Sequence, residues 1–182
     1  MKLVLDACVL YPTVLREILI GVAAKGLYQP LWSERLLEEW ARAAARRGEA
    51  DEVIARGEVA MLKARFPQAM IARHEGLENR LHLPDENDIH VLATAIAGNA
   101  DAIVTMNAAD FPRGVLQSEG LDRRSPDDVL WALWSDHPDT VAEVVETVRQ
   151  EAERLSGKPQ PVRALLKRIR LSRLGRALEA AS

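Results

Sequence analysis

The stretch Pro84-Asp85-Glu86-Asn87-Asp88-Ile89-His90-Val91-Leu92-Ala93-Thr94-Ala95-Ile96 decides the fold. A proline and a cluster of acids open an apolar run of helical length. After a short Gly98-Asn99 break comes Ala102-Ile103-Val104-Thr105, which reads as a buried parallel strand. Asn107 and Asp110 follow it. In an open α/β sheet, ligands bind beyond the carboxyl ends of the strands, and these polar residues fall there. Asp85 reads as the helix N-cap. Asp88, three residues on, reads as a capping-box analogue, an acid at the positive end of a helix. His90 sits on the first turn and reads as a packing or supporting histidine, because no second histidine at metal-ligand spacing accompanies it. Asn107 and Asp110 also suit a plain turn.

Working outward, Lys2-Leu3-Val4-Leu5 is a short apolar run, the pattern of a central parallel strand buried on both faces. Asp6 then stands at its carboxyl end. A carboxylate there is costly unless it is paired or holds a metal; a turn or capping role is the alternative, since Pro12 follows shortly. A helix is expected over residues 12–25, stopped by Gly26. Leu27-Tyr28-Gln29-Pro30-Leu31-Trp32 reads as a second strand, and Ser33 as the N-cap of the next helix. Leu36, Leu37 and Trp40 give that helix its apolar stripe. Glu38 and Glu39 are adjacent, so they point about 100° apart around it, and spacing alone favours a solvated acidic face for both. Residues 51–65 read as a helix ending before Phe66-Pro67, Ala69-Met70-Ile71-Ala72 as a short strand, and residues 73–83 as helix or loop. A fifth strand is expected near Val115-Leu116. Ser125-Pro126-Asp127-Asp128 is a strong helix start. Asp136-His137-Pro138 opens another helix running to about Leu155.

The whole is 182 residues long, with 48% hydrophobic and 28% charged residues, the balance of an ordinary globular chain. No segment reaches the roughly 18 apolar residues that span a bilayer. The opening Met1-Lys2-Leu3-Val4-Leu5-Asp6 turns acidic too soon for a signal peptide. One cysteine, Cys8, excludes an internal disulfide and a cysteine-cluster zinc site. A cytoplasmic protein with no membrane partner is the reading. Charge is unevenly placed: residues 157–182 hold seven of the 24 Lys and Arg but one of the 27 Asp and Glu. A tail of about +6 thus follows a body of about −9, an asymmetry that suits a nucleic-acid- or partner-binding tail. Gly157-Lys158-Pro159-Gln160-Pro161 reads as a linker, and residues 162–180 as a single basic amphipathic helix. Its Leu165, Leu166, Ile169 and Leu174 make packing on the body the competing explanation.

The element order gives an α/β fold around a parallel sheet. Asp6 and the Asn107/Asp110 pair come off the ends of two strands, and Asp88 opens the helix leading into the second. Carboxylates converging at one sheet edge repel unless cations neutralise them. Oxygen-only ligands favour Mg²⁺ or Mn²⁺ over zinc or copper. Such an ion activates water and stabilises charge on a phosphodiester in flight.

Four stretches together resemble the PIN-domain family, and within it the VapC-type toxin ribonucleases. They are Val4-Leu5-Asp6-Ala7-Cys8-Val9-Leu10-Tyr11, Trp32-Ser33-Glu34-Arg35-Leu36-Leu37-Glu38-Glu39, Asp88-Ile89-His90-Val91-Leu92-Ala93-Thr94-Ala95, and Ile103-Val104-Thr105-Met106-Asn107-Ala108-Ala109-Asp110-Phe111. Each is weak alone; all four in order are specific, and they span about residues 3–112. The resemblance implies a three-layer α/β/α PIN-like domain with a central parallel sheet, plus C-terminal helices. The boundaries expected are a nuclease domain over 1–135, an additional helix over 136–156, and the linker with its basic helix over 157–182. It implies one or two Mg²⁺ or Mn²⁺ ions on Asp6, Glu39, Asp88 and Asp110, the catalytic set, with Thr105 and Asn107 as orienting groups. Glu39 is chosen over Glu38 because the family acid lies six residues after the serine that opens its helix. Cys8 stands where relatives often have Asn or Ser. RNA is the implied substrate, a small antitoxin and a second copy the implied partners. An RNA- or partner-binding module with little turnover and a structure-specific DNA nuclease are the competing readings.

Overall fold

A computed structural model describes residues 1–181. Along the chain run β1 (Lys2–Leu5), α1 (Ala7–Leu10), α2 (Thr13–Ala24), β2 (Gln29–Leu31), α3 (Glu34–Ala45), α4 (Glu49–Arg65), α5 (Glu75–Arg80), α6 (Ile89–Ala97), β3 (Ala102–Val104), α7 (Arg113–Ser118), β4 (Asp122–Arg124), α8 (Pro126–Asp136), α9 (Pro138–Ser156), α10 (Val162–Arg168) and α11 (Ser172–Ala181). The class is the one expected: α/β, with an all-parallel central sheet, helices around it and further helices toward the C-terminus.

The chain divides into two compact units. The first comprises Met1–Tyr11 and Tyr28–Arg124 and contains the whole sheet, in the order β2-β1-β3-β4. β1 is central: Leu3, Val4 and Leu5 are fully buried and pair with β2 on one side and β3 on the other. A strand with neighbours on both edges and both faces covered has no polar positions to spare, which is why its sequence is a continuous apolar run. β4 is the edge strand, Asp122-Arg123-Arg124, half-buried and wholly charged. Charge on an edge discourages further pairing.

Two expectations are corrected here. Val115 and Leu116 lie in α7, not in a strand, and the fourth strand comes six residues later. Pro112 sits at the N-cap of α7, and Leu116 is its buried contact; two aliphatic residues in a row do not distinguish a helical turn from a strand. The stretch 69–72 is not a strand either. Pro67–Ala69 forms a 3-10 turn, and Met70 makes an isolated parallel bridge with Trp32. Cys8 lies in α1, a one-turn helix whose Val9 and Leu10 are buried.

Gly98, at the C-terminal cap of α6, lets that helix end against β2. A Cβ there would fall 2.8 Å from Leu31 Cδ1, 3.1 Å from Thr94 O and 3.2 Å from Ile71 Cγ1. Overpacking of this kind costs about 1–3 kcal/mol. Gly98→Ala is therefore expected to lower the urea midpoint by about 1 kcal/mol's worth, after the smaller gain from a stiffer unfolded chain. An unchanged or higher midpoint would show that Leu31 and Ile71 simply move aside.

The second unit comprises Pro12–Leu27 and the chain from Ser125 onward. α2 packs on α9, and α8 on α9 and α11. Ser125 caps α8 as expected, accepting from Asp128 N. The basic segment is two helices, not one. Arg170 turns into the left-handed region (φ 62°) between α10 and α11, which pack as a hairpin and bury Leu165, Leu166, Leu174 and Leu178. The apolar periodicity continues through the break, so the sequence carries no sign of it. Asp127 on α8 accepts from Arg173 N (2.8 Å) and Leu174 N (3.0 Å), and Arg173 stacks on Trp131. The apolar side of the tail is thus buried within this unit, while Lys167, Arg168, Arg170 and Arg176 are exposed. Among the described residues, no helix is long and apolar enough to cross a membrane.

Candidate active site

All strands run the same way, so their carboxyl ends share one edge of the sheet. β1 delivers Asp6 there and β3 delivers Thr105. Asp6 is 6% exposed and Thr105 3%. Asp6 N donates to Val104 O, the last carbonyl of β3, so the two side chains leave the sheet side by side. Thr105 Oγ1 donates to Asp6 Oδ2 at 2.7 Å and accepts from Asn107 N at 3.0 Å. Cys8 Sγ donates to the same Asp6 oxygen at 3.0 Å and accepts from Met106 N at 3.3 Å. Thiol and hydroxyl together hold one face of the carboxylate. Burial, then the charge of Asp6 and the bond to it, push the Cys8 thiol up to about 12, so it stays protonated and a donor.

Asp88 stands where α6 begins, at the end of a 3-10 turn over Glu86–Asp88. Asp85 caps that turn, accepting from Asn87 N at 2.9 Å. Asp88 makes no capping bond, which corrects the capping-box reading: the 3-10 turn moves it past the position where its carboxylate could reach a free N–H. Burial first, then the charges of Asp6, Asp110 and Asp85, raise its carboxyl to about 6, against a smaller opposing pull from His90. Asp110 lies in the loop after β3, which is tied to the edge strand: Arg123 Nη1 donates to Ala108 O and to Phe111 O. Phe111 is fully buried and anchors the loop's far end. Asp88 is therefore close enough to Asp6 and Asp110 to feel their charge. The side chain of Asn107 is exposed.

Glu39 has different neighbours. Arg35 Nε donates to it at 3.1 Å, and His90 Nε2 lies 3.0 Å away. That second approach has the distance of an ion pair without the alignment of a hydrogen bond: among the described residues, neither ring nitrogen of the buried His90 has a hydrogen-bond partner. Burial works to raise the Glu39 carboxyl, but His90 and Arg35 together hold it below its ordinary value. Glu38 is committed elsewhere, to Arg42 at 3.0 Å and Arg56 at 2.9 Å, and those bonds hold it down at about 2. Arg35 also donates to Asn87 O at 3.2 Å, linking α3 to the turn that carries Asp88. Arg35, as a link between α3 and that turn, and Arg123 were missed in the sequence; each acts on backbone carbonyls far along the chain, which leave no local signal.

Among the described residues, no three or more His, Cys, Asp or Glu side chains are gathered closely enough to hold a metal ion. The donor set has the chemistry a hard divalent cation needs. It is oxygen-only, and after burial the charges of Asp6 and Asp110 add to the rise of the Asp88 carboxyl. A bound cation would relieve that repulsion.

The PIN domain matches residues 2–109, more than half of the chain. The match covers Asp6, Glu39, Asp88, Thr105 and Asn107 and stops one residue short of Asp110. No curated protein and no solved structure matches significantly. PIN domains are generally nucleases and typically use divalent metal ions. On the residues matched and the parallel sheet they build, the chain belongs to the PIN-domain family.

Proposed function

We propose that the protein is a metal-dependent endoribonuclease, the toxin of a cytoplasmic toxin–antitoxin pair, working as a homodimer and neutralised by a small antitoxin. The observation that carries this reading is the placement of Asp6 just past β1, Asp88 at the start of α6 and Asp110 in the loop after β3, at the carboxyl edge of a parallel sheet, where burial and then the charges of Asp6 and Asp110 raise the Asp88 carboxyl. Carboxylates kept in mutual repulsion cost stability, and perturbed groups of this kind mark functional sites. Asp6, Glu39, Asp88 and Asp110 would hold one or two Mg²⁺ or Mn²⁺ ions. Bound there, the metal supplies Lewis-acid activation of water and neutralises charge on the phosphodiester as it is cut, leaving 5′-phosphate and 3′-hydroxyl ends.

The chain's own residues keep the carboxylates in place. Thr105 and Cys8 fix the rotamer of Asp6 through its Oδ2. The Asn107 N–H aligns the Thr105 hydroxyl toward Asp6. Arg35 steadies both Glu39 and the turn before Asp88, and Arg123 steadies the loop that carries Asp110. Preorganisation of this sort spares reorganisation at the moment of reaction.

The test is cleavage of a mixed single-stranded and structured RNA pool, with matched DNA in parallel, in Mg²⁺ or Mn²⁺. Wild type is compared with Asp6→Asn and Asp88→Asn. The expected result is metal-dependent RNA cleavage, reduced at least about 10²-fold in both variants. Preference for DNA would make the protein a DNA nuclease. Absence of cleavage and of any metal-induced stabilisation would make it an RNA- or partner-binding module.

A further inference from the structure

α4 has two apolar faces. Ala55 and Leu62 are buried on the inner one, where the helix packs along α3. The outer face holds Val53, Ile54, Gly57, Ala60, Met61 and Ala64, and all six are exposed. Val53, Ile54 and Met61 stand 65%, 60% and 67% in solvent. At about 100° per residue, the six lie within roughly 60° of the direction of Gly57, with no charged residue between them. Single exposed apolar side chains are ordinary, but a contiguous stripe rimmed by charge marks an interaction surface.

The layout of the stripe says what covers it. Glu49, Asp51 and Glu52 occupy the first turn of α4, and Lys63 and Arg65 the last. About Gly57, Val53 mirrors Met61, Ile54 mirrors the smaller Ala60, and two acids of the first turn mirror two bases of the last. Val53 and Met61 stand four residues to either side, Asp51 and Lys63 six, Glu49 and Arg65 eight. A second α4 laid antiparallel across a two-fold axis at Gly57 brings Val53 level with Met61 of the other copy. It also sets each acidic first turn beside a basic last turn, with the helix dipoles opposed. Nothing lies within 4 Å of where a Gly57 Cβ would be, so two backbones can approach closely at the axis. Self-complementarity of this kind is what a two-fold interface requires, and an unrelated partner would have no reason to match it. The ion pairs already made on the rim, Lys63 with Glu34 and Arg47 with Asp51, are exposed and so cost little to rearrange.

We infer that this face is a homodimer contact, in which two copies of the chain pack α4 against α4, antiparallel about Gly57. The inference rests on the homodimer part of the proposed function and names its surface; it does not depend on nuclease activity. One helix seam buries less than the about 800 Å² per partner of a standard interface, so the dimer is weak, with Kd in the micromolar range.

Sedimentation equilibrium of the full chain from about 1 to 100 μM tests it across the Kd range expected. Wild type should pass from monomer to dimer. Val53→Glu and Met61→Glu should each raise Kd at least about 30-fold, with circular dichroism and melting temperature unchanged because both sites are exposed. Arg65→Glu should weaken the dimer several-fold, and adding Asp51→Arg to the same chain should restore it. A wild type that stays monomeric throughout overturns the inference and leaves the stripe to a different protein. A dimer indifferent to all of these substitutions also overturns it, while the homodimer part of the proposed function survives. Loss of RNA cleavage in a variant that still dimerises bears on the active site alone.

Discussion

In EDTA near pH 7.5, the Asp88→Asn protein is expected to melt above the wild type, and in Mn²⁺ below it. The crossing follows from the raised carboxyl of Asp88. In the folded chain its proton leaves at about pH 6, in the unfolded chain near pH 4. Between those values the folded state holds a proton that the unfolded state has lost, so stability falls as pH rises through the window. Above pH 6 the full cost is present. A shift of about two units sets its ceiling near 3 kcal/mol; screening at a partly exposed carboxylate brings it to about 1 kcal/mol. Asparagine keeps the shape and removes the charge, so the metal-free variant gains that amount, about 2–4 °C for a chain of this size. The gain should shrink toward nothing as the pH is lowered to about 4. With metal the order reverses. Wild type gains about 2.7 kcal/mol at a metal concentration 100 times its dissociation constant, and a site short of one carboxylate gains much less. Differential scanning fluorimetry over a grid of pH and Mn²⁺ reads both effects. Two parallel curves, neither responding to Mn²⁺, would reduce Asp88 to an acid at the start of a helix.

The same residue shows where the sequence is informative. Acidic residues before the apolar run of α6 announce a helix start, and Asp85 caps the 3-10 turn that leads into it. Spacing does not say which acid caps and which is held in reserve, because the intervening 3-10 turn changes the count. Ser33 and Ser125 were legible as caps because capping is local: each accepts from the N–H three residues on. Glu38 and Glu39 were not separable by periodicity. What separates them is Arg56 on α4, 18 residues from Glu38, and His90 on α6, 51 residues from Glu39. Such partners are set by tertiary packing. β4 escaped for a similar reason: an edge strand of one Asp and two Arg has no apolar pattern, and only its pairing with β3 makes it a strand. β1 and β3 were legible because burial on both faces forces an unbroken apolar run. The outer stripe of α4 was legible in principle, but two apolar faces on one helix blur the amphipathic signal that normally points to the core.

The largest loss of stability is expected at Trp32. It follows β2 with no exposed surface and is gripped by the chain on both sides. Its N–H donates to Ala69 O at 3.0 Å, and its carbonyl accepts from Ile71 N at 2.9 Å. The indole meets the Phe66 ring edge to face, with centroids 5.9 Å apart. Trp32→Ala removes that contact and leaves a cavity where the 66–71 segment pairs alongside it, at a cost of about 3–5 kcal/mol. That is a large part of the 5–15 kcal/mol that holds a typical domain together. Trp32→Phe should cost far less, about 1–2 kcal/mol, because a ring still faces Phe66. It also gives up no hydrogen bond, since the buried indole N–H has no partner among the described residues. The consequence for the active site runs through the next residue. Ser33 caps α3 by accepting from Leu36 N at 3.3 Å, and α3 carries Arg35 and Glu39. If Trp32 acts only through the scaffold, urea midpoints should fall in the order wild type, Phe, Ala. Cleavage per folded molecule should then stay near wild type in the Phe variant at low temperature. Cleavage lost in Trp32→Phe at full folding would mean that the start of α3 has shifted with the ring. A loss below about 1 kcal/mol in Trp32→Ala would mean that the 66–71 segment is no part of the core.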